Sequence, residues 1–287
     1  MAREITVLKE LPSLGPLIGK ALLPGRRPSP AEGVPQRSVV VADMAITPER
    51  LAAYDRVCGF SLSDRVPATF LHVLTFPLQA HLMASSDFPF PLAGIVHVTN
   101  EMTLHRPVSL TQRLRLGVHA QHPRPHRKGV TFDMVGEIHA GDELVWRGVS
   151  TYLSTAAELA GEPVATEREP VADVVAAQQW VLAADLGRRY AAVSGDVNPI
   201  HLHPLTARPF GFARPIIHGM WTHARALAAF AGALPEAYRV RVQFTKPIAL
   251  PGRAWFGAET ADDGKLRFAV TNPDHKPYLA GSLVPIG

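Results

Sequence analysis

Cysteine is almost absent: Cys58 is the single one in 287 residues. That excludes an intrachain disulfide framework and any multi-cysteine zinc or iron–sulfur centre. It suits a reducing cytoplasm, where the chain is expected to reside. Charged residues are also few, at 19%, and no run of eighteen or more apolar residues occurs, so a membrane-spanning helix is excluded. Residues 5–23 are apolar in places, but Lys9, Glu10, Pro12, Pro16 and Lys20 interrupt them. With no small-residue cleavage pattern after it, the segment is expected to lie as an arm on the body. Aromatics make up 7% and are not interleaved with basic residues, so the net charge of +4 is no nucleic-acid footprint. It suits an anionic partner such as a coenzyme phosphate or an acidic carrier protein instead.

Hydrophobic residues amount to 47%, an ordinary globular share, and the length corresponds to about two domains at ~150 residues each. Two stretches read as boundaries. Residues 24–37 (PGRRPSPAEGVPQR) form an irregular lead-in, and 156–174 combine Ala, Glu and Pro as a linker does. The segments they bound repeat each other. Tyr54-x-x-Val57-Cys58-Gly59 returns as Tyr190-x-x-Val193-Ser194-Gly195, and Arg106-Pro107-Val108-Ser109-Leu110 returns in type as Lys246-Pro247-Ile248-Ala249-Leu250. Two landmarks in one order at nearly one offset indicate a tandem duplication.

Each segment is expected to open with a short helix ending near the Tyr-x-x-Val motif. A longer apolar helix follows: Phe70, Val73, Leu74, Leu78 and Leu82 in the first, and Met220, Ala224, Leu227, Ala231 and Leu234 in the second. Pro77 should kink or divide the first of these, and Gly232 and Pro235 should close the other. Alternating strands then follow in 95–104, 114–118, 238–244 and 266–270. A central helix followed by antiparallel strands is an α+β pattern, the hotdog arrangement. The expected organisation is a double hotdog: an arm and lead-in (1–37), an N-terminal hotdog (38–155), a linker (156–174) and a C-terminal hotdog (175–287).

The densest polar cluster is Ser194-Gly195-Asp196-Val197-Asn198-Pro199-Ile200-His201. Pro199 excludes Asn198 from the α region and Gly195 permits unusual angles. The segment is therefore expected to be a bent loop that turns Asp196 and His201 toward one point. A carboxylate and an imidazole sharing one water form a general acid/base pair near neutral pH. Asp and Asn in such a loop also serve as turn formers and caps. Downstream, Arg214-Pro215-Ile216-Ile217-His218-Gly219-Met220 leads into the second apolar helix. Gly219 would occupy its first turn, where N–H groups lack intrahelical partners and the dipole is positive. Close helix–sheet packing would equally call for a glycine there.

Tyr190, Ser194-Gly195-Asp196-x-Asn198-Pro199-Ile200-His201, Ala207, Gly211-Phe212 and Pro215-Ile216-x-His218-Gly219-Met220 together resemble the signature of MaoC-like (R)-specific enoyl-thioester hydratases. The two-segment layout is similar to that of actinobacterial (3R)-hydroxyacyl-thioester dehydratases. The resemblance implies Asp196 and His201 as the catalytic pair and Ser194 and Asn198 as orienting groups. It implies Gly219 N–H as the thioester oxygen contact, with Tyr190 and Gly211 at the substrate site. The reaction would interconvert trans-2-enoyl and (R)-3-hydroxyacyl thioesters of coenzyme A or acyl carrier protein, without metal or other cofactor. The first segment reads Phe60-Ser61-Leu62-Ser63 after its glycine and lacks both the Asp and the His. One site per chain is expected, with the first half housing the acyl tail.

Other readings have their own discriminators. His201, His203, His218 and His223 could be assembled into a metal site, but no zinc-type spacing is present. The basic run Arg113, Arg115, His119, His122, Arg124, His126, Arg127 and Lys128 could meet coenzyme phosphates or an acidic carrier, or be a solvated turn. A non-catalytic acyl-binding or assembly subunit would bind without turnover, and a thioesterase would release free thiol. The two-segment chain could pair again as a homodimer.

Overall fold

The computed structural model describes residues 3–21, 27–92, 94–165, 167–171, 178–230, 232–262 and 264–286. In the first half of the chain come β1 (Glu4–Leu8), α1 (Leu14–Ala21), β2 (Arg37–Met44), α2 (Pro48–Cys58), α3 (Ala68–Ala84), β3 (Ile95–Leu104), β4 (Leu114–His126), β5 (Gly129–Ala140) and β6 (Glu143–Ser154). In the second come β7 (Gln178–Leu182), α4 (Leu186–Ser194), α5 (Pro204–Ala207), α6 (Gly219–Ala229), β8 (Tyr238–Phe244), β9 (Gly252–Thr260), β10 (Leu266–Thr271) and β11 (Pro277–Pro285). No described helix is long and apolar enough to cross a membrane.

Two compact units are present. The first comprises Met1–Ile46, Leu71–Met102 and Thr111–Glu167; the second comprises Thr47–Phe70, Thr103–Leu110 and Arg168–Gly287. In the first unit the strands run in the order β1-β2-β4-β5-β6-β3. β1 is parallel to β2, and the β2–β4, β4–β5 and β5–β6 pairs are antiparallel. Leu71, Leu74, Leu78 and Leu82 of α3 are all fully buried, in a helix that also encloses the polar side chains of Thr69, His72, Thr75 and Gln79. Phe88, Phe90 and Phe132 add an aromatic cluster, the last two stacked at 4.6 Å. Pro77 does not divide α3, which runs unbroken through it. The missing N–H costs one backbone hydrogen bond, and burial on all sides holds the helix across the gap.

The second unit carries the order β8-β11-β10-β9-β7, antiparallel throughout. α6 packs on β10 and β11, burying Trp221, Ala224 and Leu227 with Val240, Val242, Phe268 and Leu279. A Cβ on Gly281 would come within 2.5 Å of the Phe268 ring, so that ring lies directly on the β11 backbone. α6 is shorter than its apolar spacing suggests. Phe230 leaves the helical conformation at Ala229 and its N–H bonds to Leu227 O at 3.1 Å. Leu234 therefore falls beyond the helix, and Ala231 is outside the described residues.

The same unit contains α2 and α4 side by side, and here the duplication is visible bond by bond. Both helices end on a left-handed glycine: Gly59 N–H donates to Asp55 O at 2.7 Å and Gly195 N–H to Ala191 O at 2.8 Å. The start of α3 is held by Val66 N–H to Val108 O and Leu110 N–H to Asp64 O, both 2.8 Å. The start of α6 is held by Ile217 N–H to Ile248 O at 2.9 Å and Leu250 N–H to Pro215 O at 2.8 Å. Between these matched points the repeats differ in length. Gly59 to the bridge residue Arg65 is six positions, whereas Gly195 to the bridge residue Ile216 is twenty-one. The extra chain carries Asp196, Asn198, His201 and Gly211.

Candidate active site

A ladder of short side chain to backbone bonds bends the loop after α4. Ser194 hydroxyl donates back to Tyr190 O at 2.8 Å and accepts from Asp196 N–H at 3.2 Å. Asp196 Oδ1 accepts from Asn198 N–H at 3.1 Å, and Asn198 Oδ1 accepts from Ile200 N–H at 3.4 Å. Asn198, at φ −55° and ψ 126°, is outside the α region as its following proline demands, and it caps a one-turn 3-10 helix over Pro199–His201. The segment expected to be wholly loop thus ends in a short helical turn that presents His201.

His201 is buried, and its Nδ1 lies 2.7 Å from Ile216 O. A carbonyl only accepts, so Nδ1 carries the proton and Nε2 carries the lone pair. Burial lowers the His201 pKa, against opposing pulls from the Asp196 charge and the Ile216 carbonyl. The imidazole is therefore neutral at pH 7. Gly187 on α4 makes this placement possible: a Cβ there would lie 2.2 Å from His201 O.

His218 completes the cluster. Its ring stacks on that of His201 with centroids 3.6 Å apart, and its Nε2 donates to Asp196 O at 2.9 Å. Burial lowers its pKa well below the ordinary value, and the neighbouring His201 adds to the effect. Asp196 Oδ2 lies 3.8 Å from the same Nε2. One ligand-type atom from each of Asp196, His201 and His218 falls within 4.8 Å of the others. Such a set invites a metal, but one nitrogen of each imidazole is engaged by a carbonyl. The arrangement fits a shared water between carboxylate and imidazole better.

The other residues singled out from sequence distribute as follows. Tyr190 is buried, with its ring 4.9 Å from His218 and 6.2 Å from Tyr54. Burial pushes its hydroxyl well above the usual phenol range, so it stays protonated. Ser194 and Asn198 shape the loop through the bonds above. Gly219 is the first residue of α6 after His218, and a Cβ there would meet the Phe244 ring at 2.9 Å. Helix geometry leaves the N–H groups of Gly219 and Met220 without intrahelical acceptors. Gly211 sits in an exposed turn at φ 85° with open space around its Cα. His203 is exposed and caps α5 by accepting from Leu205 N–H at 3.2 Å. Cys58 is buried and its thiol is pushed far up by desolvation, which makes it a packed residue. The basic run is partly neutralised, with Arg124 on Asp133 at 2.7 Å and Arg113 on Asp43 at 2.6 Å.

Sequence reasoning named His218 only within the hydratase signature and in a metal reading, gave it no role beside Asp196 and His201, and missed Gly187 altogether. A signal existed for His218: it occupies the N-cap of α6, where Ser, Thr, Asp or Asn is usual, and makes no capping bond.

A helix start beside a carboxylate and a neutral imidazole, in a chain of two helix-and-sheet units, defines a class: a double-hotdog protein of α+β architecture with an acid/base site. The family model of the MaoC-like domain matches residues 159–271. The chain is 38% identical over 233 residues to 3-hydroxyacyl-thioester dehydratase X of Mycobacterium tuberculosis, covering 80% of this chain and 83% of that one. The crystal structure of that protein, HtdX, superposes with a TM-score of 0.76 at 33% identity over 87% of this chain and all of the other. A further M. tuberculosis protein with a double hotdog fold matches at TM-score 0.51 and 13% identity, a likeness of fold alone. The chain belongs to the MaoC-like dehydratase family.

Proposed function

We propose that the chain interconverts trans-2-enoyl and (R)-3-hydroxyacyl thioesters, with Asp196 and His201 holding one water. The carrying observation is the His201 Nδ1–Ile216 O bond of 2.7 Å, which leaves the lone pair on Nε2, in a ring that brings a nitrogen within 4.8 Å of an Asp196 carboxylate oxygen. In hydration the water oxygen adds to C3. One of the two side chains takes the water proton and the pair passes that same proton on to C2, since the Asp196 carboxylate and the His201 Nε2 lone pair hold none to begin with. Both act from one face, so the addition is syn. As the C2–C3 double bond is lost, negative charge builds on the thioester oxygen, and the N-terminus of α6 at Gly219 would stabilise it. A thioester already acidifies its α-carbon, so acid/base groups and this oxyanion contact suffice without a cofactor.

The acyl group is carried by coenzyme A or an acyl carrier protein, and we assign the reaction to the cytoplasm, where a lone buried thiol such as Cys58 stays reduced. Asp196→Asn and His201→Gln should each lower hydration of a short trans-2-enoyl-CoA by about a hundredfold or more, with circular dichroism unchanged. Activity surviving in both would end the proposal. A thiol reagent should detect no free thiol during turnover; release of thiol would make the chain a thioesterase.

A further inference from the structure

His218 is fully enclosed yet holds two groups at once: it lies face to face on His201 at 3.6 Å and donates Nε2–H to Asp196 O at 2.9 Å. The two roles are not equivalent. The plane of His201 is already set by its own bond to Ile216 O, so a stacking partner there is partly redundant. The main-chain carbonyl of Asp196 is reached by no other side chain among the described hydrogen bonds. The loop bonds around it run through N–H groups and through the Asp196 side chain. That carbonyl belongs to a residue of the reacting pair, and it lies directly after the left-handed Gly195, where the backbone is freest to turn.

We infer that His218 is the positioning residue of this site, fixing Asp196 through its main-chain carbonyl from the start of α6. The inference rests on the hydratase reading for its kinetic consequence only. The histidine thereby couples the loop that bears the carboxylate to the helix whose first N–H groups face the thioester. Its own Nδ1 has no hydrogen-bond partner among the described residues, so the ring is held by the Asp196 bond and by packing against Tyr190. A displacement near 1 Å of a reacting group costs about a hundredfold in rate, and loosening this carbonyl is a route to one.

Two variants separate the donor from the ring. His218→Phe keeps an aromatic plate and loses the donor; His218→Gln keeps a donor at similar reach and loses the plate. Both are assayed on the full chain with a short enoyl-CoA, and folding is checked by thermal melting. The expected result is a kcat loss of about thirtyfold or more in His218→Phe with KM within about threefold, and a loss of no more than about fivefold in His218→Gln. A purely packing role gives the opposite order. The inference is overturned if His218→Phe is as active as His218→Gln, or, should the Phe variant not fold, if a folded His218→Gln loses more than about a hundredfold. A second measurement does not depend on turnover. Long-range ¹H–¹⁵N spectra of the wild type should show His218 as the Nε2–H tautomer, and an Nδ1–H tautomer overturns the inference even in a chain with no hydratase activity.

Discussion

Burial sets the protonation of both imidazoles beside Asp196, and the sign of the effect is testable. Desolvation lowers the His201 pKa, so the neutral, basic form persists as pH falls through the ordinary histidine value near 6.5. The log of kcat/KM should therefore be flat above about pH 6.5, with its acid limb lying below that value. An acid limb above pH 7 would contradict the neutral His201 described here. Stability has its own histidine. His72 in α3 is buried and its pKa is pushed down by desolvation to about 4. The unfolded chain binds that proton near pH 6.5 and the folded chain does not. The His72 contribution is complete above pH 6.5 and is lost as pH falls toward 4, by about 3 kcal/mol if burial is retained. Urea melts at pH 7.5 and 4.5 should show His72→Leu losing less stability than wild type over that interval. Residue by residue, the loop was readable because Gly195, Asn198 and Pro199 restrict backbone angles locally. His218 was less so, because its partners lie more than twenty positions upstream or on a stacked face, neither of which periodicity reports. Gly187 was invisible for the same reason: its necessity comes from a carbonyl fourteen residues away.

At the scale of elements, Gly219 has two explanations that a double substitution separates. Packing alone requires a glycine because a Cβ would press on the Phe244 ring at 2.9 Å. The proposed thioester contact requires it because the substrate must approach the helix backbone. Gly219→Ala should therefore lower both melting temperature and kcat. Adding Phe244→Leu gives the new methyl room and should restore the melting temperature. If kcat stays at least tenfold down in the double variant, the helix start acts on the substrate; if kcat returns with stability, packing was the whole reason. Helices α2, α3, α4 and α6 and four of the eleven described strands, β3, β4, β8 and β10, were legible because their apolar spacing is regular; β1, β2, β5, β6, β7, β9 and β11 were not singled out. The end of α6 was not, since Phe230 continues the apolar pattern while its backbone has already left the helix. The 3-10 turn at Pro199–His201 is too short for any periodic signal. The unequal distance from Gly59 to Arg65 and from Gly195 to Ile216 was present in the sequence, hidden until the paired bridges fixed which residues correspond.

For the molecule as a whole, the repeat without the acid/base pair is still needed. Residues 47–70 belong to the second unit, where Trp221 Nε1 donates to Val57 O at 3.0 Å and the Tyr54 ring sits 6.2 Å from Tyr190. α2 buries Leu51, Tyr54 and Cys58 almost completely. Each large side chain so buried contributes about 1.5–3 kcal/mol, against a typical total stability of about 5–15 kcal/mol. A fragment of residues 168–287 carries Asp196, His201, His218 and Gly219 yet lacks that helix. It should fail to melt cooperatively and should show no hydratase activity, whereas the full chain should bind one equivalent of a tight substrate analogue by calorimetry. Nothing in the spacing of residues 47–70 announces which sheet they join, because a helix of eleven residues with a single apolar face would serve either repeat. A fragment that folds and turns over alone would mean that α2 is dispensable to the site. A stoichiometry of two per chain would mean that the Phe60–Ser63 stretch supports chemistry with no carboxylate or imidazole of its own, and with it the assignment of the reaction to Asp196 and His201 would fall.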